Sequence, residues 1–178
     1  KNTIINELKT LDVVGDKYSF KGFEDLKCIF IHIPKSAGVS ISKQLFNNLG
    51  AGHYPISHYK MFYKKKEFIE YYKFSIVRNP WDRLVSAYFF LKGGGFGEKD
   101  KIWFENNILQ FDSFNEFVVN WVNKKNIRLK HHFTPQVDFI CIGNKILVDE
   151  VLKFEEMDKN EIILSNKFLN ESLVLSLT

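Results

Sequence analysis

Cysteine is nearly absent from this chain: in 178 residues only Cys28 and Cys141 occur, each inside an apolar run. Two such residues exclude a disulfide framework and read as buried thiols. The five histidines have no Cys or carboxylate partners at ligand spacing, so there is no zinc signature. No apolar stretch approaches the ~20 residues that a membrane span needs, and no signal peptide is visible. Internal repeats and low-complexity linkers are missing too. So is a strong charge imbalance: the formal net charge of +4 suits an anionic small ligand as well as a nucleic acid. The loop of nucleotide triphosphatases, G-x-x-x-x-G-K-[ST], does not occur.

What is present describes an ordinary folded protein. Apolar residues make up 45% and charged residues 26%, and the 18 Phe point to a Phe-rich core. The length fits one domain over residues 1–178. The start at Lys1 leaves room for an upstream anchor, and the segment after Asp158 is short, which points to a truncated C-terminus.

Along the chain, residues 1–27 are mixed and polar, with turn signals at Gly15-Asp16 and Gly22. The run CIFIHI (28–33) has the form of a buried parallel strand. Ser40 to Leu49 reads as a helix with Ile41, Leu45 and Leu49 on one face, closed by Gly50. KKKEFIEYY (64–72) ends a second helix, and KFSIV (73–77) is a second buried strand. In NPWDRLVSAYFFL (79–91), Asn79 caps, Pro80 takes the first helical position and Asp82 favours the positive dipole end. Trp81, Leu84, Val85 and Tyr88 form its apolar stripe.

KGGGFGEKD (92–100) reads as a flexible connection. SFNEFVVNWV opens on a Ser113/Glu116 capping box, with Phe114, Phe117, Val118, Trp121 and Val122 facing one way. Residues 136–155 read as two strands about a Gly143-Asn144 turn and then a third strand. Asp158 and Glu161 begin a last helix. Alternating strands and helices imply an α/β fold with a largely parallel sheet.

In such sheets ligands bind beyond the carboxyl ends of strands. Two of these ends carry unusual chemistry: Pro34-Lys35-Ser36-Ala37-Gly38 and Arg78-Asn79-Pro80. A helix N-terminus offers unpaired N–H groups to an anion, and Ser36, Ala37 and Gly38 are small enough for backbone amides to close around phosphate oxygens. Ser36 and Ser40 add hydroxyls, and Lys35 adds a mobile cation. From spacing alone, a plain strand-to-helix turn with a solvated lysine fits as well as a phosphate cradle.

The segment IFIHIPKSAGVSI (29–41) resembles the 5′-phosphosulfate loop of sulfotransferases, in the form P-K-[ST]-[AG]-[GS]-[ST]-[ST] of the carbohydrate sulfotransferase branch. The donor of that family is 3′-phosphoadenosine 5′-phosphosulfate (PAPS). Val39 departs from the pattern, standing where a hydroxyl residue is common, which leaves only its backbone N–H as a contact. FSIVRNPWDRLVSAY (74–88) resembles the family's 3′-phosphate motif, an arginine at a strand end and a serine eight residues on, here Arg78 and Ser86. A guanidinium fork suits a phosphate dianion; Arg83 in the same helix reads as structural or as a helper.

The resemblance implies a P-loop-like three-layer sandwich, a central and mostly parallel sheet flanked by helices, with PAPS bound by Lys35, Ser36, Ala37, Gly38, Val39, Ser40, Arg78 and Ser86. It also places the catalytic base between the two loops, where His53 and His58 are the only histidines. His53 is favoured, with His58 close behind; His32 reads as structural. KHHFTPQVDFI (130–140) resembles a family segment near the active site, which makes His132 and Gln136 candidates for substrate or nucleotide contact; a polar loop explains them equally well.

The lysine runs at 64–66 and 124–130 read as solvated faces. The function implied is in-line sulfuryl transfer from PAPS to a hydroxyl of a carbohydrate, with Lys35 and a histidine as catalytic groups and no metal. The rivals are a nucleotide kinase, with Asp149 as its only loose metal-holding carboxylate, a nucleotide- or glycan-binding module without turnover, and a basic RNA-binding domain. The last conflicts with aromatics at core spacing. A bacterial source would imply the cytoplasm, and a removed anchor the Golgi lumen.

Overall fold

The computed structural model describes residues 2–168. The chain divides into two compact units, Lys1–Arg78 with Gln136–Thr178, and Asn79–Pro135.

The first unit is built on a three-stranded parallel sheet flanked by helices. Helices α1 (Asn2–Thr10) and α2 (Lys21–Leu26) lead into strand β1 (Cys28–Ile31). Helices α3 (Gly38–Phe46), α4 (Ile56–Phe62) and α5 (Lys65–Glu70) then lead to β2 (Tyr72–Val77). All four β1 residues are buried, as expected of a strand covered on both faces. The Ser75 hydroxyl donates to the Ile31 carbonyl at 2.7 Å, tying the two strands near their carboxyl ends.

Several expectations change here. The N-terminal stretch holds two helices, and Gly22 is not a turn but part of α2. A Cβ on Gly22 would lie 2.7 Å from Phe46 Cδ1, so its smallness lets α2 approach the Phe46 ring. Helix α3 starts two residues early and ends at Asn47, whose left-handed backbone (φ 56°) closes it before Gly50 is reached. Cys28 is buried, but Cys141 is only half-buried.

The second unit contains α6 (Pro80–Lys92), α7 (Glu98–Asn107) and α8 (Phe114–Asn120). Asn79 caps α6 as expected, its side chain accepting from the N–H groups of Trp81 and Asp82 at 3.0 and 3.4 Å. The buried face of α6 is Arg83, Ala87, Tyr88 and Leu91, while Trp81 is 73% exposed, so the packed stripe is rotated from the apolar one. Ser113 caps α8 through the Glu116 N–H, and the Glu116 carboxylate accepts from Asp112 N–H instead of closing a box on Ser113. Phe117 and Trp121 are buried, with Phe114, Val118 and Val122 packed beside them.

Helix α7 begins inside the expected flexible connection, at its last three residues, with Glu98 and Asp100 favouring its start. Lys130 is not a solvated charge: it pairs with Asp100 at 2.6 Å, both side chains 12% exposed.

The chain re-enters the first unit as α9 (Gln136–Ile140), where a strand was expected. Adjacent Phe139 and Ile140 are both buried while Val137 is exposed, a helical rather than alternating pattern. A minimal hairpin, β3 (Cys141–Ile142) with β4 (Lys145–Ile146), turns at Gly143-Asn144. Strand β5 (Glu150–Lys153) joins β2 in parallel, and α10 (Met157–Phe168) follows.

Candidate active site

Strands β1 and β2 are neighbours in parallel, so their carboxyl ends deliver the chain to the same edge of the sheet. After β1, residues 34–37 form a turn into α3. Lys35 and Ala37 both have positive φ, 67° and 61°. Such alternation turns successive N–H groups toward one point and makes an anion-binding concavity, here at the start of a nine-residue helix. For non-glycine residues the conformation costs of order 1 kcal/mol each or more, a strain that collects at ligand-binding loops.

Side chains in this loop match that geometry. Ser36 is 1% exposed, and its Oγ has no hydrogen-bond partner. A buried hydroxyl left unsatisfied is costly, and a ligand oxygen would satisfy it. Lys35 is half-buried; burial first, and the neighbouring Arg78 guanidinium second, lower its pKa from the ordinary lysine value. Val39 and Ser40 are half-buried in the first turn of α3.

Arg78 stands at the end of β2, and its Nη1 donates to the Lys35 carbonyl at 3.3 Å, so the two strand-end loops touch. Its guanidinium lies over the Phe154 ring, 4.3 Å from the centroid. Its Nε is buried without a hydrogen-bond partner. Ser86 is half-buried on α6 in the second unit; its pairing with Arg78 stays an expectation of the sequence.

His53 and His32 form a second constellation in the first unit. His53 Nδ1 lies 3.2 Å from the His32 carbonyl. A carbonyl only accepts, so this nitrogen carries the proton and Nε2 is the lone-pair nitrogen of the neutral ring. The two imidazoles are 4.2 Å apart, and the His32 ring in turn covers Gly38. His53 is thus connected to the phosphate-type loop through one residue. His58 lies on α4 between Tyr54 and Phe62, with Nδ1 buried and without a hydrogen-bond partner.

Of the two further candidates, His132 is buried in the second unit against Phe90, ring centroids 5.2 Å apart. Gln136 bonds the Arg78 backbone at both ends of its carboxamide. Asp149 precedes β5 at the opposite edge of the sheet. Its carboxylate accepts from Lys73 N–H at 2.7 Å and pairs with Lys73 Nζ at 2.9 Å. Lys73 and Arg78 are five strand residues apart, ~16 Å, so this carboxylate braces the start of the sheet.

A family model described as the sulfotransferase family matches residues 19–167. The chain belongs to the sulfotransferase family. No curated protein and no solved structure matches it. In this sulfotransferase the matched span holds both strand-end loops, both central histidines and Gln136. Among the described residues no helix is long and apolar enough to cross a membrane, and no group of three or more His, Cys, Asp or Glu is placed to hold a metal ion.

Proposed function

We propose that the enzyme transfers a sulfuryl group from PAPS to a hydroxyl of a carbohydrate. The observation that carries this reading is the pair of buried, unpartnered donors, Ser36 Oγ and Arg78 Nε, on two loops that touch. One loop suits a phosphate cradled by backbone N–H groups, the other a phosphate held by a guanidinium, which is the demand of a doubly phosphorylated adenosine. The carbohydrate acceptor rests on the likeness of residues 29–41 to the carbohydrate branch.

In the proposed step His53 Nε2 takes the acceptor's proton as its oxygen forms a bond to sulfur. The bond from sulfur to the bridging phosphate oxygen breaks in line, and 3′,5′-ADP departs. Lys35 stabilises the charge gathering on the bridging oxygen. His58 is the alternative base; the Nδ1–H bond of His53 to a fixed carbonyl favours His53, since it orients the ring.

A nucleotide kinase would need a carboxylate near the loops to hold its metal, and Asp149 is committed to Lys73 at the far edge. A binding module without turnover would share the nucleotide grip, and only transfer separates the two. The test is thermal unfolding with 3′,5′-ADP, 5′-AMP and ATP–Mg²⁺, followed by sulfate transfer from PAPS to a glycan panel. Strong stabilisation by 3′,5′-ADP and much less by 5′-AMP is expected. Equal shifts would remove Arg78 from the donor site, and binding without transfer would leave the module.

A further inference from the structure

The chain leaves the first unit after Arg78 and returns to it at Gln136. The Gln136 side chain bridges those two points: Oε1 accepts from the Arg78 N–H at 2.9 Å, and Nε2 donates to the Arg78 carbonyl at 2.8 Å. One carboxamide, 58 residues away in sequence, thus pairs with both backbone polar groups of the arginine. Beyond the last residue of β2 no ladder bond would hold this peptide, and its rotation would swing the whole guanidinium.

The rest of the arginine is restrained as well. Its face rests on Phe154 and its Nη1 reaches the Lys35 carbonyl. Among the donors these contacts leave is Nε, which is buried without a partner. Clamp, ring and carbonyl together aim that edge.

We propose that Gln136 is a positioning residue: its two-point clamp on the Arg78 backbone sets the guanidinium for the 3′-phosphate of the donor and so sets selectivity for nucleotides carrying that group. This rests on the reading that Arg78 holds the 3′-phosphate. Gln136 acts through Arg78 and leaves the 5′ side of the nucleotide to the loop at 34–40.

The test measures affinities for 3′,5′-ADP and 5′-AMP by calorimetry, on the parent, Gln136→Leu, Gln136→Glu and Arg78→Ala, with thermal unfolding of each. Gln136→Leu should weaken 3′,5′-ADP by about tenfold, of the order of one well-placed hydrogen bond, and leave 5′-AMP within about twofold. Gln136→Glu keeps the acceptor for the Arg78 N–H but loses the donor, so its selective loss should be smaller. An equal loss for both nucleotides, or none, overturns the proposal, because a purely structural role would not distinguish them. Should Gln136→Leu not fold, Gln136→Glu carries the same comparison. Arg78→Ala separates the two failures. If it leaves the preference for 3′,5′-ADP unchanged, the donor reading itself falls; if it removes the preference while both Gln136 variants keep it, only the clamp is refuted.

Discussion

Lys35→Ala is expected to lower kcat by about 10²–10³, the loss that follows removal of one group stabilising transition-state charge. The Tm should stay within about 2 °C of the parent, as for a substitution outside the core. Lys35 already sits at φ 67°, a strain that alanine shares, so the backbone cost is unchanged. The pH profile of the parent carries the same information. Burial and then Arg78 lower the Lys35 pKa, so its ammonium form in the free enzyme is lost as pH rises through a value below 10.5. The alkaline limb of kcat/KM for the donor should therefore fall below that of an ordinary lysine. A bound anionic donor favours the ammonium, so the limb in kcat should lie further to the alkaline side. Lys35→Arg should remove the limb, since a guanidinium does not titrate there. Full turnover by Lys35→Ala would end its assignment.

Gly38→Ala should disable the site by a different route. The added Cβ would fall 1.8 Å from His32 Cδ2 and 2.1 Å from Nε2. The ring has nowhere easy to go: His32 is 5% exposed, stacked on Phe30 and against His53. Either the start of α3 or His32 must shift, and the second disturbs the carbonyl that orients His53. Overpacking of this kind costs roughly 1–3 kcal/mol, which for a chain this long lowers Tm by about 2–10 °C. Donor affinity and turnover should fall together, since the loop and the proposed base, His53, share His32. A variant with parent Tm and activity would show that the loop does not depend on this packing.

Where packing is dense on both faces, the fold was readable from residues alone. Strand β1 is a continuous apolar run and β2 is apolar apart from Lys73 and Ser75, and Asn79-Pro80 and Ser113 announce their helices through local hydrogen bonds. Helices α2 and α7 were not readable, because each buries few residues (Phe23 in α2, Phe104 in α7) and so shows little periodicity. Gly22 looked like a breaker because sequence does not show what approaches it. Residues 136–140 form an apolar run too short for periodicity to separate strand from helix.

The same division runs through the site. Lys35, Ser36 and Arg78 stood out because strand ends in α/β proteins are where chemistry collects. The clamp from Gln136 spans 58 residues, and the proton position on His53 depends on a carbonyl 21 residues away. Neither leaves a local pattern.

The most direct measurement is a crystal structure of the protein with 3′,5′-ADP. The proposed grip predicts the 5′-phosphate against the backbone N–H groups of 35–40, within hydrogen-bond reach of Ser36 Oγ, and the 3′-phosphate on Arg78 Nε. A nucleotide bound elsewhere, or Lys35 and Arg78 facing separate cavities with only one phosphate held, would contradict it.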